Sequence, residues 1–320
     1  MGRSSIGNAE FERLVSRTGN RSFLGRPYTG RKEDMTCAEC VYAAGVNDRA
    51  NGMASGTVSG GSPLIVPMAF ARAVSELYAR GRKPVSFGLL LAAPKDAPED
   101  ALREFMKADY RLAELNDAEI IREERTDYMV RITAYGEPYE GFSEPEAATG
   151  DIAVVMCGQA GAEETVLLAE EHGELLHKKL PSHFLAEIPE LLQPETAETV
   201  CRIGFENGAL YQCACGDGGV YAGLYRMGER IRTGMKISLP EIPISQLTIE
   251  VCEILDIDPY QIGSGGCVLM AAADGERLAD ALTAAGFEAA VIGSLWEGKA
   301  KELHNGGEVR YLEPYRGIHF

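Results

Sequence analysis

The sequence predicts an α/β protein of two domains, and three observations support this prediction. In the second half of the chain, apolar segments of strand length alternate with amphipathic helical segments, which is the order typical of α/β folds. In the first half the same alternation runs from residue 66 to residue 134. Between the halves, residues 136–150 contain two prolines, three glycines and four glutamates without periodicity, which is typical of a linker.

These observations predict four regions along the chain. Residues 1–30 are rich in Gly, Ser and Arg and are predicted as an N-terminal arm. The predicted domains are residues 31–140 and residues 151–320, and residues 141–150 form the linker between them.

Composition and charge exclude several classes of protein. The chain has 320 residues, of which 45% are hydrophobic and 25% are charged, as in ordinary globular proteins. Its formal net charge of −17 argues against nucleic acids and anionic membranes as partners, because both require a basic surface. No apolar run approaches the ~20 residues of a membrane span, and residues 1–30 contain no signal-peptide core. We therefore expect a cytoplasmic protein.

The first half contains a well-marked helix. Phe70, Val74 and Leu77 lie on one face of a helix predicted over residues 66–80, and Gly81 is typical of the position after a helix end. The elements predicted after it are the strand Val85–Leu91, a helix over residues 98–112 and the strand Tyr128–Ala134.

The second half is organised around a strand, a glycine turn and a helix. Ala209–Ala214 is predicted as a strand, and Val220, Leu224 and Met227 recur at helical spacing after the turn Cys215–Gly219. The other predicted strands are Ile152–Met156, Lys236–Leu239, Cys267–Ala272 and Ala289–Ile292, and helices are predicted over 162–172, around 247–254 and over 275–285.

The glycine turn at residues 215–219 has two interpretations. Glycines at a strand-to-helix turn let backbone N–H groups approach a ligand, and the helix N-terminus favours an anion such as phosphate. Alternatively, Asp217 caps the helix and the turn is purely structural. A second glycine turn, Gly158–Gly161, is predicted to be a poor anion site because Glu163 and Glu164 follow it and would repel phosphate.

Two pairs of cysteines have spacings that could indicate a metal site. Cys37 and Cys40 form a C-x-x-C pair, which could be half of a zinc site or a redox pair. Cys213 and Cys215 could complete four thiolates, but C-x-C is an unusual second pair for zinc. The sequence therefore favours ordinary thiols over a zinc site.

Four segments of the second half carry a resemblance to a known family. They are GDIAVVMCGQAGAEETVLLAEE from Gly150, GDGGVYAGLYRM from Gly216, LDIDPYQIGSGGCVLMAA from Leu255, and AAVIGSLWEG from Ala289. In order and spacing they resemble the C-terminal domain of the aminoimidazole ribonucleotide (AIR) synthetase superfamily. Within that superfamily, the sequence pattern most resembles that of the hydrogenase maturation factor branch, the carbamoyl dehydratases. The helix near residues 68–81 and the segment GRKPVSFGLLLAAPKDAP resemble the N-terminal domain of that superfamily.

The resemblance implies a fold, an assembly and a chemistry. The implied fold has an N-terminal domain that forms a β-barrel shared across a homodimer, followed by a mixed-sheet α/β domain. The implied activity uses ATP and magnesium to phosphorylate an oxygen of a small metabolite or carrier group, with the nucleotide in a cleft between domains. The surviving glycine turns are then the expected nucleotide-binding residues, namely Asp217, Gly218, Gly219, Ser264 and Gly265.

The chain departs from the family pattern where the family places metal-binding acids. After the first family strand it has CAECVYAAGVND, with Asp48 as the nearby acid. Ser75-Glu76 stands where the family has Asn-Asp, and Arg122-Glu123 stands where the family has Gly-Gly. Ala214 replaces a family aspartate, and the chain ends in YRGIHF without the cysteine tail of the hydrogenase factor.

Three hypotheses follow for the function. The first is an ATP-dependent enzyme with a reorganised magnesium site made from Asp48, Glu76 and Asp217, since carboxylates suit magnesium. The second is a non-catalytic relative that binds a nucleotide, a metabolite or a protein partner. The third is a thiol or metal protein that uses Cys37 and Cys40. The retained glycine turns favour the first hypothesis.

Overall fold

The computed structural model describes residues 4–5, 52–140, 151–192 and 196–315. Within these ranges the chain forms two compact units. The first contains the described residues up to Tyr139 except Tyr78–Gly81, and the second contains Tyr78–Gly81 and the described residues from Glu140 onward. None of the helices in the described ranges is long and apolar enough to cross a membrane.

The first unit is built on a five-stranded sheet in the spatial order β1-β4-β3-β5-β2. Strands β3 and β4 are parallel and the other neighbours are antiparallel. Its elements are β1 (Ser4–Ser5), β2 (Met53–Gly60), α1 (Ile65–Ala79), β3 (Arg82–Pro94), α2 (Glu99–Phe105), a 3-10 helix (Tyr110–Glu114), β4 (Leu115–Glu123) and β5 (Tyr128–Pro138).

Helix α1 provides much of the core of the first unit. Phe70, Val74 and Leu77 are buried, as their spacing predicts, and the Phe70 ring meets the Phe87 ring edge-on at 5.3 Å. Strand β2 passes so close to α1 that a Cβ atom on Gly56 would collide with the carbonyl oxygen of Ala69. Glycine is therefore required at this position by the packing, although it is a weak strand former.

The predicted single helix over residues 98–112 is wrong. Helix α2 ends at Phe105, and a separate 3-10 helix begins at Tyr110. Asp109 starts the second helix because its carboxylate accepts a hydrogen bond from the backbone N–H of Arg111 at 2.8 Å. The same carboxylate pairs with the Arg111 guanidinium at 2.6 Å, and both side chains are largely buried. This local pairing favours a break over a continuous helix.

The second unit contains a seven-stranded mixed sheet in the order β12-β11-β8-β10-β6-β9-β7. Only β8 and β11 are parallel neighbours among the described strands of this sheet. Its elements are β6 (Ile152–Cys157), α3 (Ala162–Glu171), α4 (Gly173–Lys179), α5 (Ser182–Glu187), α6 (Ala197–Glu206), β7 (Ala209–Gly216), α7 (Gly219–Ile231), β8 (Gly234–Ser238), α8 (Gln246–Leu255), β9 (Ser264–Ala272), α9 (Gly275–Ala284), β10 (Ala289–Trp296), β11 (Lys301–Asn305) and β12 (Glu308–Tyr311), with 3-10 turns at Ile188–Leu191 and Leu239–Glu241.

Helices cover both faces of this sheet. Helix α7 buries Val220, Leu224 and Met227 in one core, as the spacing of these residues predicts. Helices α6 and α9 form the second core on the opposite face, where Val200 and Leu278 are buried. Alternate residues of the central strands enter the two cores, so this part of the sheet is apolar on both faces.

Candidate functional site

Three glycine turns meet at the strand ends along one side of the seven-stranded sheet. Strand β9 lies between β6 and β7 and runs antiparallel to both. Its start therefore lies beside the ends of the other two strands. The turns Gly158–Gly161, Gly216–Gly219 and Gly263–Gly266 consequently occupy the same edge, which we call the glycine edge. Backbone groups at such turns can approach a ligand closely.

The turn Gly216–Gly219 depends on glycine for its backbone shape. Gly216, Gly218 and Gly219 all have positive φ angles, at 61°, 70° and 62°. A Cβ atom on Gly219 would also lie 2.6 Å from the carbonyl oxygen of Tyr260. The start of helix α7 is therefore held directly against the loop that precedes β9, and Tyr221 donates its backbone N–H to the same Tyr260 oxygen at 3.1 Å.

Asp217 lies exposed in this turn, where its carboxylate has two described contacts. Its Oδ1 accepts the backbone N–H of Gly218 at 3.0 Å and the hydroxyl of Tyr315 at 3.1 Å. The Tyr315 ring rests on Gly218, since a Cβ atom there would lie 2.7 Å from the ring. The predicted capping role of Asp217 is wrong: the N-cap of α7 is Gly218, and the structure shows no side-chain cap hydrogen bond there. The contact with Tyr315 was not predicted from the sequence.

A pocket of about 490 Å³ opens beside this turn. Its volume falls in the range of small-molecule sites. Three tyrosines and three charged residues are among the residues that line it. The lining residues are Gly218, Tyr221, Ala222, Asp258, Gln261, Leu303, Arg310, Tyr311, Leu312, Glu313, Pro314 and Tyr315.

Tyr221 forms part of one wall of the pocket, and its ring stacks on the ring of Tyr260. Tyr221 and Tyr260 lie with ring centroids 5.4 Å apart and planes 22° apart. Burial raises the pKa of Tyr221, and the Asp258 carboxylate raises it further. The Asp258 carboxylate accepts the backbone N–H of Tyr260 at 2.9 Å and the side-chain amide of Gln261 at 2.9 Å, which fixes the loop. The wall thus presents a neutral, pre-formed aromatic surface.

Arg226 supports the same turn from within helix α7. Its guanidinium donates to the carbonyl oxygens of Ala214 and Cys215, each at 2.8 Å. These carbonyls belong to the last residues of β7, so Arg226 ties the end of the strand to the helix that follows it. Ala214, which replaces a family aspartate, is itself buried in the sheet.

The other two turns are locked to each other by side chains. Ser264 is fully buried; its hydroxyl accepts the Gly161 N–H at 2.8 Å and donates to the Ile262 carbonyl at 3.1 Å. Glu163 is also buried, and its carboxylate accepts the Gly265 N–H at 3.0 Å. The sequence predicted Ser264 and Gly265 as ligand-binding residues. In the structure their described polar contacts are internal, and Glu163 supplies the negative group that faces Gly265.

The remaining predicted metal ligands lie in different places. Asp48, Cys37 and Cys40 fall outside the described residues, so they stay predictions. Glu76 is half-buried on α1 in the first unit, whereas Asp217 belongs to the second. Within the described ranges, no three His, Cys, Asp or Glu side chains are grouped so as to hold a metal ion.

Arg122 and Glu123, which replace a family Gly-Gly, have contacts within the first unit. The Arg122 guanidinium donates to the carbonyl oxygen of Ala97 at 2.6 Å. Glu123 pairs with Arg125 at 3.1 Å. These contacts hold the loops at the ends of β3 and β4. Neither residue is a glycine, so these positions do not offer a ligand the close approach to the backbone that a Gly-Gly pair would.

The six cysteines that the structure describes are buried, and no disulfide joins any two of them. Cys213 and Cys215 belong to the core beneath α7, where the Cys213 thiol donates to the Gly223 carbonyl at 3.7 Å. Burial and Glu288 raise the pKa of Cys157 to about 12, from an ordinary 9.0. Burial and Asp258 raise the pKa of Cys252 to about 12 as well. Buried neutral thiols of this kind are unreactive.

We expect these raised thiol pKa values to lower stability at alkaline pH. Between about pH 9 and pH 12 the thiols ionise in the unfolded chain but stay neutral in the folded one, so the free energy of unfolding falls as pH rises. Each thiol contributes at most about 1.4 kcal/mol per pH unit. Urea unfolding at pH 8 and pH 10 measures the effect. The Cys157→Ala variant should lose less stability than the wild type over this interval, and equal losses would contradict the assignment.

Comparisons with known proteins identify the fold. No protein-family model matches the chain. A protein of Methanocaldococcus jannaschii named for hydrogenase expression and formation is 25% identical over 225 residues, covering 67% of this chain and 64% of its own length. The match therefore spans less than two thirds of that relative.

Two solved structures align with almost the whole chain. The Escherichia coli hydrogenase maturation protein HypE is 18% identical, with a TM-score of 0.66 and coverage of 96% of this chain and 98% of HypE. A structure of HypE in complex with ATP is 17% identical, with a TM-score of 0.65 and coverage of 97% and 96%. The chain thus has the AIR synthetase-like fold that HypE has.

Proposed function

We propose that this chain is an ATP- and magnesium-dependent enzyme that activates an oxygen of a small metabolite or carrier group by phosphorylation. The observation that carries the proposal is the glycine turn of Asp217 at the start of α7, beside a tyrosine-lined pocket of about 490 Å³. HypE, which has the same fold, has been captured with ATP. Because fold similarity alone does not establish function, the residues of this site carry the argument.

The residues present fit a nucleotide. Tyr221 and Tyr315 line the pocket and offer faces on which a flat base can stack. The first N–H groups of a helix lack partners within the helix and favour an anion, which suits the phosphates. Gly218 has no side chain, and this lets the Tyr315 ring pack directly against the turn beside the pocket.

Asp217 is suited to a magnesium ion between the protein and the phosphates. Its carboxylate is exposed, and Tyr315 and the Gly218 N–H orient it through one oxygen. Magnesium often uses one or two protein carboxylates together with phosphate oxygens and water. When bound, magnesium-ATP would supply the phosphoryl group. Asp217 would hold and orient the magnesium ion, and the N-terminus of α7 would stabilise negative charge on the phosphates. Asp48 and Glu76 remain further candidate ligands.

A second candidate function is a non-catalytic relative that binds a nucleotide, a metabolite or a protein. It is favoured by the contacts of Asp217, one of whose oxygens already accepts the Gly218 N–H and the Tyr315 hydroxyl. In either case we propose a homodimer formed through the first 140 residues, as the superfamily resemblance implies. The zinc alternative at Cys37 and Cys40 stays a separate prediction.

The substitution Asp217→Asn separates the two functions. It retains an acceptor for Gly218 and Tyr315 but removes the charge that holds magnesium. The enzyme proposal predicts that magnesium-dependent ATP binding, measured by calorimetry, weakens at least about tenfold, or 1.4 kcal/mol. Binding without magnesium and the unfolding temperature should change little.

Asp274→Asn is the matched control. Asp274 caps helix α9 in the same unit by accepting the Arg277 N–H at 3.1 Å, so the same chemical change is made at a different helix start. If both variants bind magnesium-ATP like the wild type, Asp217 has only a structural role in the turn. If the wild type binds no magnesium-ATP at millimolar concentration, the enzyme proposal is wrong.

A further inference from the structure

Strand β12 forms one edge of the seven-stranded sheet. It pairs with β11 through a hairpin in which Asn305 faces Glu308 across Gly306 and Gly307. Within the part of the chain that the structure describes, no strand pairs with its other side. All four residues of β12 are exposed. An exposed strand edge presents unpaired backbone groups and can pair with another chain.

The register of the hairpin determines which backbone groups face outward. Leu312 donates its N–H to Lys301 at 2.8 Å, so the pair 301 and 312 is a hydrogen-bonded pair. In an antiparallel ladder such pairs alternate with non-hydrogen-bonded ones. The groups of Glu308 and Arg310 therefore point toward β11, and those of Val309 and Tyr311 point away from the sheet.

The side chains of β12 alternate between two faces. Arg310 lies opposite Leu303, whose side chain belongs to the core beneath α7, so Arg310 is on the pocket face with Glu308. These two form an exposed ion pair at 3.3 Å. Val309 and Tyr311 lie on the opposite face and are 48% and 66% exposed. The edge thus combines one acid, one base and two uncovered apolar side chains.

We propose that β12 pairs antiparallel with β12 of a second copy of this chain, around a two-fold axis at Val309. In this register the outward N–H and C=O groups of Val309 bond with those of the partner's Val309. Glu308 then faces the partner's Arg310, and Arg310 faces the partner's Glu308. These are non-hydrogen-bonded positions, where opposite side chains come closest, so opposite charges there stabilise the pairing.

Self-complementarity is the reason for choosing a second copy as the occupant. A two-fold contact places each residue of one patch against its counterpart, and an acid and a base spaced evenly about Val309 satisfy this condition. A two-fold axis at Arg310 would place like charges together and would use backbone groups already bonded to β11. The charge order of β12 therefore selects one register.

The contact also reaches the pocket. Arg310 and Tyr311 line the pocket as well as the strand edge. The partner's Glu308 would therefore meet Arg310 at the pocket wall, and the pairing would join the seven-stranded sheets of two copies into one. Four residues bury less than the ~1,000 Å² of a stable interface, so the association is expected to be weak and concentration-dependent.

The test uses the full chain and two single charge reversals, Glu308→Arg and Arg310→Glu. Sedimentation equilibrium at up to ~100 μM protein should show that the wild type forms a larger assembly than the one that the rest of the chain forms without pairing through β12. Each single variant places like charges across the axis and should associate at least about tenfold more weakly. Mixing the two variants restores both opposite-charge pairs, so the mixture should associate like the wild type.

Rescue by mixing shows that both variants are folded. Arg202→Glu, which reverses one member of an exposed ion pair on α6, is the matched control and should associate like the wild type. The proposal is overturned if the wild type shows no such association at ~100 μM, or if association occurs but is insensitive to the two reversals. It is also overturned if the mixture stays as weak as the single variants.

Discussion

The Gly219→Ala variant is expected to lose about 2–5 kcal/mol of its free energy of unfolding. Two costs add at this position. Alanine is disfavoured at the φ angle of 62°, and its Cβ atom would collide with the carbonyl oxygens of Tyr260 and Ile262. Both oxygens belong to backbone, so the clash is relieved only if the start of α7 moves away from the loop before β9. Urea unfolding followed by circular dichroism measures the loss.

Gly208→Ala is the matched control for this prediction. Gly208 also has a positive φ angle, at 85°, but a Cβ atom there would meet nothing within 4 Å. It therefore isolates the conformational cost of about 1–2 kcal/mol. If Gly219→Ala loses no more stability than Gly208→Ala, the close packing of α7 against the Tyr260 loop is not as described.

A second large loss, of about 3–5 kcal/mol, is expected for Asp109→Ala. The substitution removes a buried carboxylate that pairs at 2.6 Å with the Arg111 guanidinium, a group whose side chain is 13% exposed. It also removes the acceptor for the Arg111 N–H, which begins the 3-10 helix. The Arg111 guanidinium stacks 4.6 Å from the centre of the Phe70 ring, so the disturbance reaches the core of the first unit. Urea unfolding measures this loss too.

Two comparison variants define the cause of that loss. Asp100→Ala removes an ion pair with Arg103 in which the Asp100 side chain is 90% exposed, so its effect should be small. Asp109→Asn keeps an acceptor for the backbone and should fall between the wild type and Asp109→Ala. Equal losses for Asp100→Ala and Asp109→Ala would mean that burial of the charge is not the cause.

The order of elements could be predicted from the sequence because it rests on local periodicity. The spacing of Val220, Leu224 and Met227 predicts helix α7, and the glycines before it predict the turn, because both signals lie within a few residues. The break between α2 and the 3-10 helix was missed because it depends on the Asp109 carboxylate turning back onto Arg111. That contact competes with helix formation and leaves no trace in the apolar pattern.

The contacts that shape the candidate site could not be predicted, because their partners are distant in sequence. Tyr315 reaches Asp217, and Glu163 reaches Gly265, only once the sheet has formed. In the sequence, Glu163 is simply an acid in the first turn of a helix, where it complements the dipole. The contact of Arg226 with the end of β7 could have been predicted, because Arg226 lies one helical turn beyond the buried residue Ala222 and within reach of that strand end.

The glycine edge also bears on how fast the chain folds. Its three turns come together only when β9 enters the sheet between β6 and β7, and this step pairs Cys157 with Val268, far along the chain. Folding rates fall as contacts become less local, because the chain loses the entropy of closing a long loop before the contacts can stabilise the structure. The local unit of β7 and α7 can therefore form early. The complete edge, with Glu163 and Ser264 in place, is assembled late, at the rate at which β9 finds its position.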